Sequence, residues 1–414
     1  MEVMTRTRWD VWAVALFLTV PPIVRAQKPG ADWPQFRGPN RDGSVASFTE
    51  PRTWPDRLTQ KWSVNVGEGY ATPLVIGDRV YMFTRQSTNE VMQALDASTG
   101  KTIWQTRYAA PVKVNPAADA HGPGPKATPA FAGGRLYTLG MGGIVTAFDA
   151  ASGKQLWQKP ATAKLPLYGT AASPLVDRGL VIVNVGGHDE GALTAFDANT
   201  GSVKWTWNGD GPSYASPVVA DIDGVRQVIA LTQDNVVGVS AADGRLLWRR
   251  PFKTEFTQNI ITPALIGNTV IIAGYQQPTA AFRIVKKGDQ WITEDAWRNE
   301  MVSLYMANGV VIGDLLFSLS QRNSGQYFLL DVKSGKTTWT GKPREAMNAA
   351  IAKSGSLVFA LEDDATLVVG RVASGRFEEL KRYTVAKSST WAQPAISGNR
   401  IFVKDTNAVA LWTF

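Results

Sequence analysis

Only two histidines, His121 and His188, occur in the 414 residues, and there is no cysteine. Those counts remove thiolate nucleophiles, zinc–thiolate sites, iron–sulfur clusters, covalent c-type haem and any histidine-pair metal motif. His121 lies in a long insertion running from Asn115-Pro116 to Gly124-Pro125. A loop of that length often serves a function, yet a lone loop histidine is most simply a solvated one. His188, followed by Asp189 and Glu190, reads as a surface hairpin. Asp221-Ile222-Asp223-Gly224 starts like a calcium loop but lacks the third acidic position and the distant Glu. It fits a tight turn better, as does Asp363-Asp364. No Gly-x-Ser-x-Gly elbow, phosphate loop or nucleotide fingerprint is present.

What remains is recognition chemistry. Tyr70, Tyr214 and Trp391 would stack a planar molecule if brought to one place, and Lys126 would meet its carboxylates. Thr72 and Gln393 belong to a polar set beside them, and Glu68 is the one carboxylate expected near the same mouth. Tyr70, Lys126, Tyr214, Trp391, Thr72 and Gln393 are therefore the candidate ligand-binding residues. No residue is assigned to catalysis or to a metal. The simpler reading of the polar set is that it satisfies strand ends beside a wet channel.

These residues owe their positions to a repeat. A small-[Ser/Thr]-Pro pattern recurs at Ala71-Thr72-Pro73, Ala127-Thr128-Pro129, Ala172-Ser173-Pro174, Ala215-Ser216-Pro217 and Ile261-Thr262-Pro263. Weaker copies stand at Ala307-Asn308-Gly309, Asn348-Ala349 and Ala392-Gln393-Pro394. The proline-equivalent positions are spaced by 56, 45, 43, 46, 46, 40 and 45 residues, which makes eight units. One residue before them lies the polar set Thr72, Thr128, Ser173, Ser216, Thr262, Asn308, Asn348 and Gln393. Three residues before them lie Tyr70, Lys126, Ala171, Tyr214, Ile260, Met306, Ala346 and Trp391. That second set is uneven, as a single ligand on a pseudo-symmetric axis requires.

A second pattern follows the first by about thirty residues in each unit. It reads Leu95-Asp96-Ala97-Ser98-Thr99-Gly100 to Trp104, and Phe148-Asp149 through Gly153 to Trp157. Further copies are Phe196-Asp197 through Gly201 to Trp205, Ala242-Asp243-Gly244 to Trp248, and Leu330-Asp331 through Gly335 to Trp339. Trp291 and Phe377 are expected to close degenerate copies. The Asp accepts backbone N–H bonds in a tight turn, and the Gly takes the positive φ that the turn demands. Between the patterns lie apolar alternations broken by Gly-Asp or Gly-Asn, the mark of hairpins. Each unit is thus a four-stranded antiparallel sheet, too small to bury both faces alone, and radial stacking with the Trp as an apolar plate solves that.

The expected fold is an all-β, eight-bladed propeller. The last unit supplies only three strands, through Ile401-Phe402-Val403 and Val409-Ala410-Leu411-Trp412, while Leu58 to Val64 reads as an orphan fourth strand. Pairing the two would close the ring and remove its open edge.

The first residues read as a signal peptide, 1–26, leaving a single propeller domain over 27–414. Arg6 and Arg8 precede an apolar stretch from Val11 to Val24, and Val24-Arg25-Ala26 offers a cleavage site after Ala26. The stretch is shorter than the ~20 residues of a membrane span, and Pro21-Pro22 interrupt it. A periplasmic or secreted location is expected, with no membrane anchor and no cysteine for lipid attachment. The net charge is +8, of which the leader carries one (Arg6, Arg8 and Arg25 against Glu2 and Asp10). That diffuse excess has no basic cluster of the kind nucleic acid requires. A monomer is expected.

The Asp-x-x-[Ser/Thr]-Gly-Lys-x-x-Trp copies resemble the tryptophan-docking repeats of pyrroloquinoline-quinone-like (PQQ-like) β-propellers. Ala31-Asp32-Trp33-Pro34-Gln35-Phe36-Arg37-Gly38-Pro39-Asn40-Arg41-Asp42-Gly43 is similar to the opening segment of exported PQQ-like repeat proteins. The resemblance spans residues 33–414. It implies a fold, and leaves the activity open between two kinds of member. Some members are dehydrogenases of alcohols or sugars that hold PQQ and calcium in the central funnel. Others are scaffolds without cofactor, such as the propeller subunit of the outer-membrane β-barrel assembly machinery. This chain lacks the adjacent cysteine pair of the dehydrogenases, their long inserts, and a recognisable Glu, Asn and Asp set. It also lacks the lipidated cysteine of the assembly subunit. The expected function is a non-catalytic binding or scaffold module working through its funnel and loops. Its expected partner is a protein or a small planar ligand, with no cofactor; the alternative is a PQQ- and calcium-dependent dehydrogenase.

Overall fold

The computed structural model describes residues 32–45 and 47–414; the expected signal peptide and its cleavage site lie outside them. Among the described residues thirty-two strands form eight four-stranded antiparallel sheets. Blade 1 consists of Leu74–Ile76, Arg79–Gln86, Asn89–Asp96 and Thr102–Ala109, paired in sequence order from axis to rim. Blades 2 to 7 repeat that order over 130–159, 175–207, 218–251, 264–299, 310–340 and 349–384. In blade 8, Ala395–Ser397, Arg400–Lys404 and Ala408–Thr413 are completed by Thr59–Asn65, which pairs from Thr59↔Thr413 to Asn65↔Ala408. The ring closes through the orphan strand, as the sequence requires.

Burial follows from stacking. The two middle strands of blade 1 are buried over nearly their whole length, because neighbouring blades cover both faces. The rim strand Thr102–Ala109 alternates exposed with half-buried positions. Where strands three and four of blade 1 pair, the register slips between Ala94 and Leu95, so Ala94 faces Trp104 while Leu95 faces Thr102. The same slip recurs in blades 2 to 7. This bulge re-aims the rim strand and swings the Trp over the adjoining blade.

The turn that receives it is built as expected. Asp96 Oδ1 accepts from the Ser98 and Thr99 amides at 3.0 and 2.8 Å and from both their hydroxyls. Those bonds, led by the Ser98 hydroxyl, hold its carboxyl below the usual range. Gly100 closes the turn at φ 72°. Its second role is close approach: a Cβ there would lie 2.8 Å from the Trp62 ring, and one on Gly153 only 2.4 Å from the Trp104 ring.

Five interfaces carry this latch. The indole N–H groups of Trp62, Trp104, Trp157, Trp205 and Trp297 donate to the carbonyls of Ala97, Ala150, Ala198, Ala241 and Val332 at 2.8–3.1 Å. In blade 5 the docking residue is therefore Trp297, and the expectation for Trp291 is corrected. Trp291 sits at the tip of a lengthened hairpin opposite Lys286, before the bulge that would turn it inward. At the interfaces between blades 4 and 5 and between 6 and 7 the receiving hairpins are lengthened, and their glycines, Gly288 and Gly375, have no ring against them. Blade 8, completed by the N-terminal strand, has no such hairpin to offer blade 7. Trp248 instead donates to Gln227 of its own blade at 2.8 Å. Trp339 packs on Phe377, and Phe48, Trp54 and Phe414 fill the last junction.

Candidate functional site

The innermost strands converge on an axial channel, and one residue per blade lines up around it. Thr72 N–H donates to Thr128 Oγ1 at 3.1 Å, and Thr128 N–H to Ser173 Oγ at 2.9 Å. Ser173 N–H donates to Ser216 Oγ at 2.9 Å, and Ser216 N–H to Thr262 Oγ1 at 3.1 Å. Thr262 N–H ends the series on Asn308 Oδ1 at 2.9 Å. The polar set is a circumferential hydrogen-bond chain that binds each of blades 1 to 5 to the one after it. It stops at blades 7 and 8. There Asn348 N–H turns to Asp363, and Gln393 Nε2 donates to Ile351 O at 2.7 Å.

The channel does not run through. Residues 33–45 cross it. Trp33 exchanges backbone bonds with Val75 of blade 1, Pro34 O accepts from Phe131 N–H of blade 2, and Val45 N–H donates to Lys353 O of blade 7. Arg41 donates to Pro174 O of blade 3 at 3.0 Å and Arg37 to Gly309 O of blade 6 at 2.6 Å. Arg37, Gly38, Arg41 and Gly43 all adopt positive φ, so the segment folds tightly enough to fit. A Cβ on Gly43 would meet Val310 at 2.8 Å. This plug is the feature that sequence reasoning missed. Its signal was six glycine, proline and arginine positions in a thirteen-residue stretch ahead of the ring, which no spacing tied to the axis.

Above the plug, where the innermost strands begin, lies a cup of about 340 Å³ with Phe36 in its lining. Tyr70, Lys126, Ala171, Tyr214, Ile260, Met306 and Trp391 line it, seven of the eight residues standing three before the proline-equivalent positions. Tyr70, Lys126, Tyr214 and Trp391 are thus brought together. Thr72 and Gln393 are buried in the ring instead and do not line the cup. The insertion between blades 1 and 2 folds back as a 3₁₀ turn, Pro116–His121, capped by Asn115 Oδ1 accepting from Ala117 N–H at 2.9 Å. It brings His121 against Trp391, edge to face with centroids 4.4 Å apart. Tyr168, Gln258 and Tyr305 complete the wall from the interblade loops; being four to six residues ahead of the proline positions, they lay outside the sequence pattern.

The cup is aromatic and cationic. The Lys126 ammonium has one bond, a long one of 3.4 Å to Tyr168 O, and burial lowers its pKa to about 8. Burial, with Lys126 beside it, lowers that of His121. Tyr214 accepts from Tyr168 N–H at 3.2 Å, and burial pushes its hydroxyl above the ordinary tyrosine range. Gln258 Oε1 and Asn348 Oδ1 are buried without a protein partner. His188, expected on the surface, is half-buried: its Nε2 accepts from Leu167 N–H at 3.2 Å behind Tyr214. Glu68 is exposed beside the 3₁₀ turn and outside the lining.

Among the described residues no Asp or Glu lines the cup. Calcium requires oxygen ligands that include carboxylates, so these residues do not fit a quinone held with calcium. Among the described residues no group of three His, Cys, Asp or Glu side chains could hold a metal ion. No helix among them is long and apolar enough to cross a membrane.

Eight blades around a blind axial cup, with a Trp latch at five of their boundaries, define a PQQ-like β-propeller. The family profile for outer membrane protein assembly factor BamB matches residues 88–341, more than half of the chain, and this protein belongs to that PQQ-like family. It is 25% identical over 371 residues to the assembly factor BamB of Burkholderia pseudomallei, covering 84% of this chain and 85% of that protein. The quinone alcohol dehydrogenase subunit of Acetobacter aceti is 35% identical over 144 residues, which are 33% of this chain and 19% of that one. The quinohemoprotein alcohol dehydrogenase of Comamonas testosteroni superposes with a TM-score of 0.67 at 15% identity, over 92% of this chain and 80% of that one, which speaks for the fold alone.

Proposed function

We propose that this chain is an exported binding or scaffold module that receives a protein partner at the cup end of the propeller. One observation carries the reading. The loops that line the cup also expose large apolar side chains around it: Leu167, Phe256, Met301 and Met347, which are 42%, 64%, 70% and 78% exposed. The other three exposed large apolar residues, Ile103, Leu156 and Val203, stand one to a rim strand toward the opposite end, whereas apolar groups on the loops around one mouth mark an interaction surface. Phe256 is held in a left-handed conformation, φ 54°, a backbone strain that a free loop would relieve. The whole-length likeness to an outer membrane protein assembly factor agrees with such a role, and with a periplasmic site of action.

The cup itself suits a planar group that carries an anionic end for Lys126 and hydrogen-bond donors for Gln258 and Asn348. Residues 1–26 would supply export, and the propeller would then act as one domain. The dehydrogenase reading rests on local likeness over a third of the chain, and the cup offers calcium no carboxylate. The test pairs two measurements. Photo-crosslinkers at Phe256 and Met301 should trap a specific partner in cells, while the same group at Lys333, on the opposite end, should not. Titration with PQQ and calcium, with a dye acceptor and a panel of alcohols and sugars, should give no turnover. Stoichiometric quinone binding with turnover would overturn the proposal.

A further inference from the structure

Below the plug, where the innermost strands end, lies a second cavity of about 720 Å³. It is lined by Arg37, Arg41, Lys353, Asp42, Asp177 and Arg226 among apolar strand residues. The charges do not balance. Arg226 is held by Asp177 through two bonds of 2.9 and 2.6 Å, and Asp42 accepts from Ser44 N–H and Oγ–H at 2.9 and 2.8 Å. Arg37, Arg41 and Lys353 have no carboxylate within 4.0 Å among the described residues. Their partners are neutral. Arg37 donates to Arg41 O, Asp42 O and Gly309 O; Arg41 donates to Gln35 Oε1, Ser173 O and Pro174 O; Lys353 donates to Val311 O.

Arg37 and Arg41 are 5% and 8% exposed. Burying a charge without a counter-charge is costly, and these two repel each other besides. Burial lowers the Arg41 pKa to about 9, with Arg37 pushing the same way, and that of Arg37 to about 10 against the opposing pull of the Asp42 carboxylate, which is not within ion-pair distance. Capping backbone carbonyls of the plug and of the blades explains six of the bonds but not why charged donors stand there, nor why Arg37 Nη1 and Arg41 Nε have no partner. Phe36, which lines the cup above, carries the Arg41 guanidinium 5.8 Å from its ring centroid on the side of this cavity. Guanidinium forks match the oxygens of carboxylates and phosphates, and the cavity has the size of a small-molecule site.

We infer that this second cavity is an oxyanion site, in which Arg37, Arg41 and Lys353 hold a small ligand bearing a phosphate or carboxylates. Arg37, Arg41 and Lys353 are three cations against the single Asp42 carboxylate; the ligand supplies the remaining counter-charge, and its binding locks residues 33–45 across the channel. Binding stabilises the native state by mass action.

The probes are inorganic phosphate and succinate, titrated into the full chain at constant ionic strength, with calorimetry and thermal unfolding as readouts. One of the two should bind saturably in the millimolar range or below, and which one identifies the ligand chemistry. Arg41→Gln and Lys353→Gln should each weaken binding at least tenfold, while Lys126→Gln in the cup should leave it unchanged. If Arg41→Gln fails to fold, Lys353→Gln, which loses a single carbonyl bond, carries the comparison. Absence of saturable binding by both probes, or binding that survives Lys353→Gln but not Lys126→Gln, would refute the site.

Discussion

The junction between blades 2 and 3 and the junction between blades 4 and 5 are made by the same kind of strand and held in different ways. At the first, Trp157 lies over Gly201 and donates to Ala198 O, so ring, turn and hydrogen bond act across the boundary. At the second, Trp248 keeps its N–H for Gln227 of its own blade. The boundary there is held by the Phe282 ring edge at 5.6 Å and by Arg250, which pairs with Asp295 and lies over Phe282. The reason is local: blade 5 has exchanged the Asp-x-x-[Ser/Thr]-Gly turn for a long hairpin, which carries its turn glycine, Gly288, out of reach of any ring. Blades 6 and 7 solve the same loss with buried charge. Tyr327 of blade 6 donates to Glu362 of blade 7 at 2.9 Å, and Arg382 reaches Glu362 at 3.0 Å while also serving Glu345 and Glu379. A repeat can thus drop its signature turn wherever a substitute closes the boundary.

The comparison predicts unequal costs. The largest loss should follow removal of a latch. Trp297→Ala takes away ring, bond and contact with Gly335, and should cost ~3–5 kcal/mol by denaturant titration. Trp291→Ala, at the hairpin tip a few residues away, should cost under ~1 kcal/mol. Equal effects would mean that the bulge does not decide which Trp docks. Gly153→Val tests the same latch from below and should destabilise by ~3 kcal/mol or more, since it combines a clash with a backbone at φ 75°.

A smaller effect separates the charged junction from the latched ones. Burial pushes the Glu362 carboxyl up to about 7, against the pull of the Tyr327 hydrogen bond and with Asp364, Glu379 and Asp363 pushing the same way. The folded chain therefore keeps a proton that the unfolded chain releases above its ordinary value of 4.5. That contribution is full below pH 4.5 and disappears as pH rises through about 7. Unfolding at pH 5 and pH 8 should differ by about 2 kcal/mol more in the native chain than in Glu362→Gln. An identical pH profile for the two would remove Glu362 from the junction.

The sequence by itself determined the number of blades, the strand that closes the ring, the latch turns and most of the cup wall. It could do so because each is written in a period: a proline position every forty-odd residues carries its neighbours to the same height in every blade. Trp297 over Trp291 was beyond it, since a bulge shifts the inward-facing position and a lengthened hairpin moves the reference. So were the hydrogen bonds of the polar ring, which join residues of successive blades. The plug was further still from reach. Residues 33–45 belong to no repeat, and their meaning comes from carbonyls of blades 3 and 6 that only closure of the ring brings to either side of them. Tertiary structure alone decided that the channel ends in a cup above Phe36 and in a chamber of unpaired arginines below it.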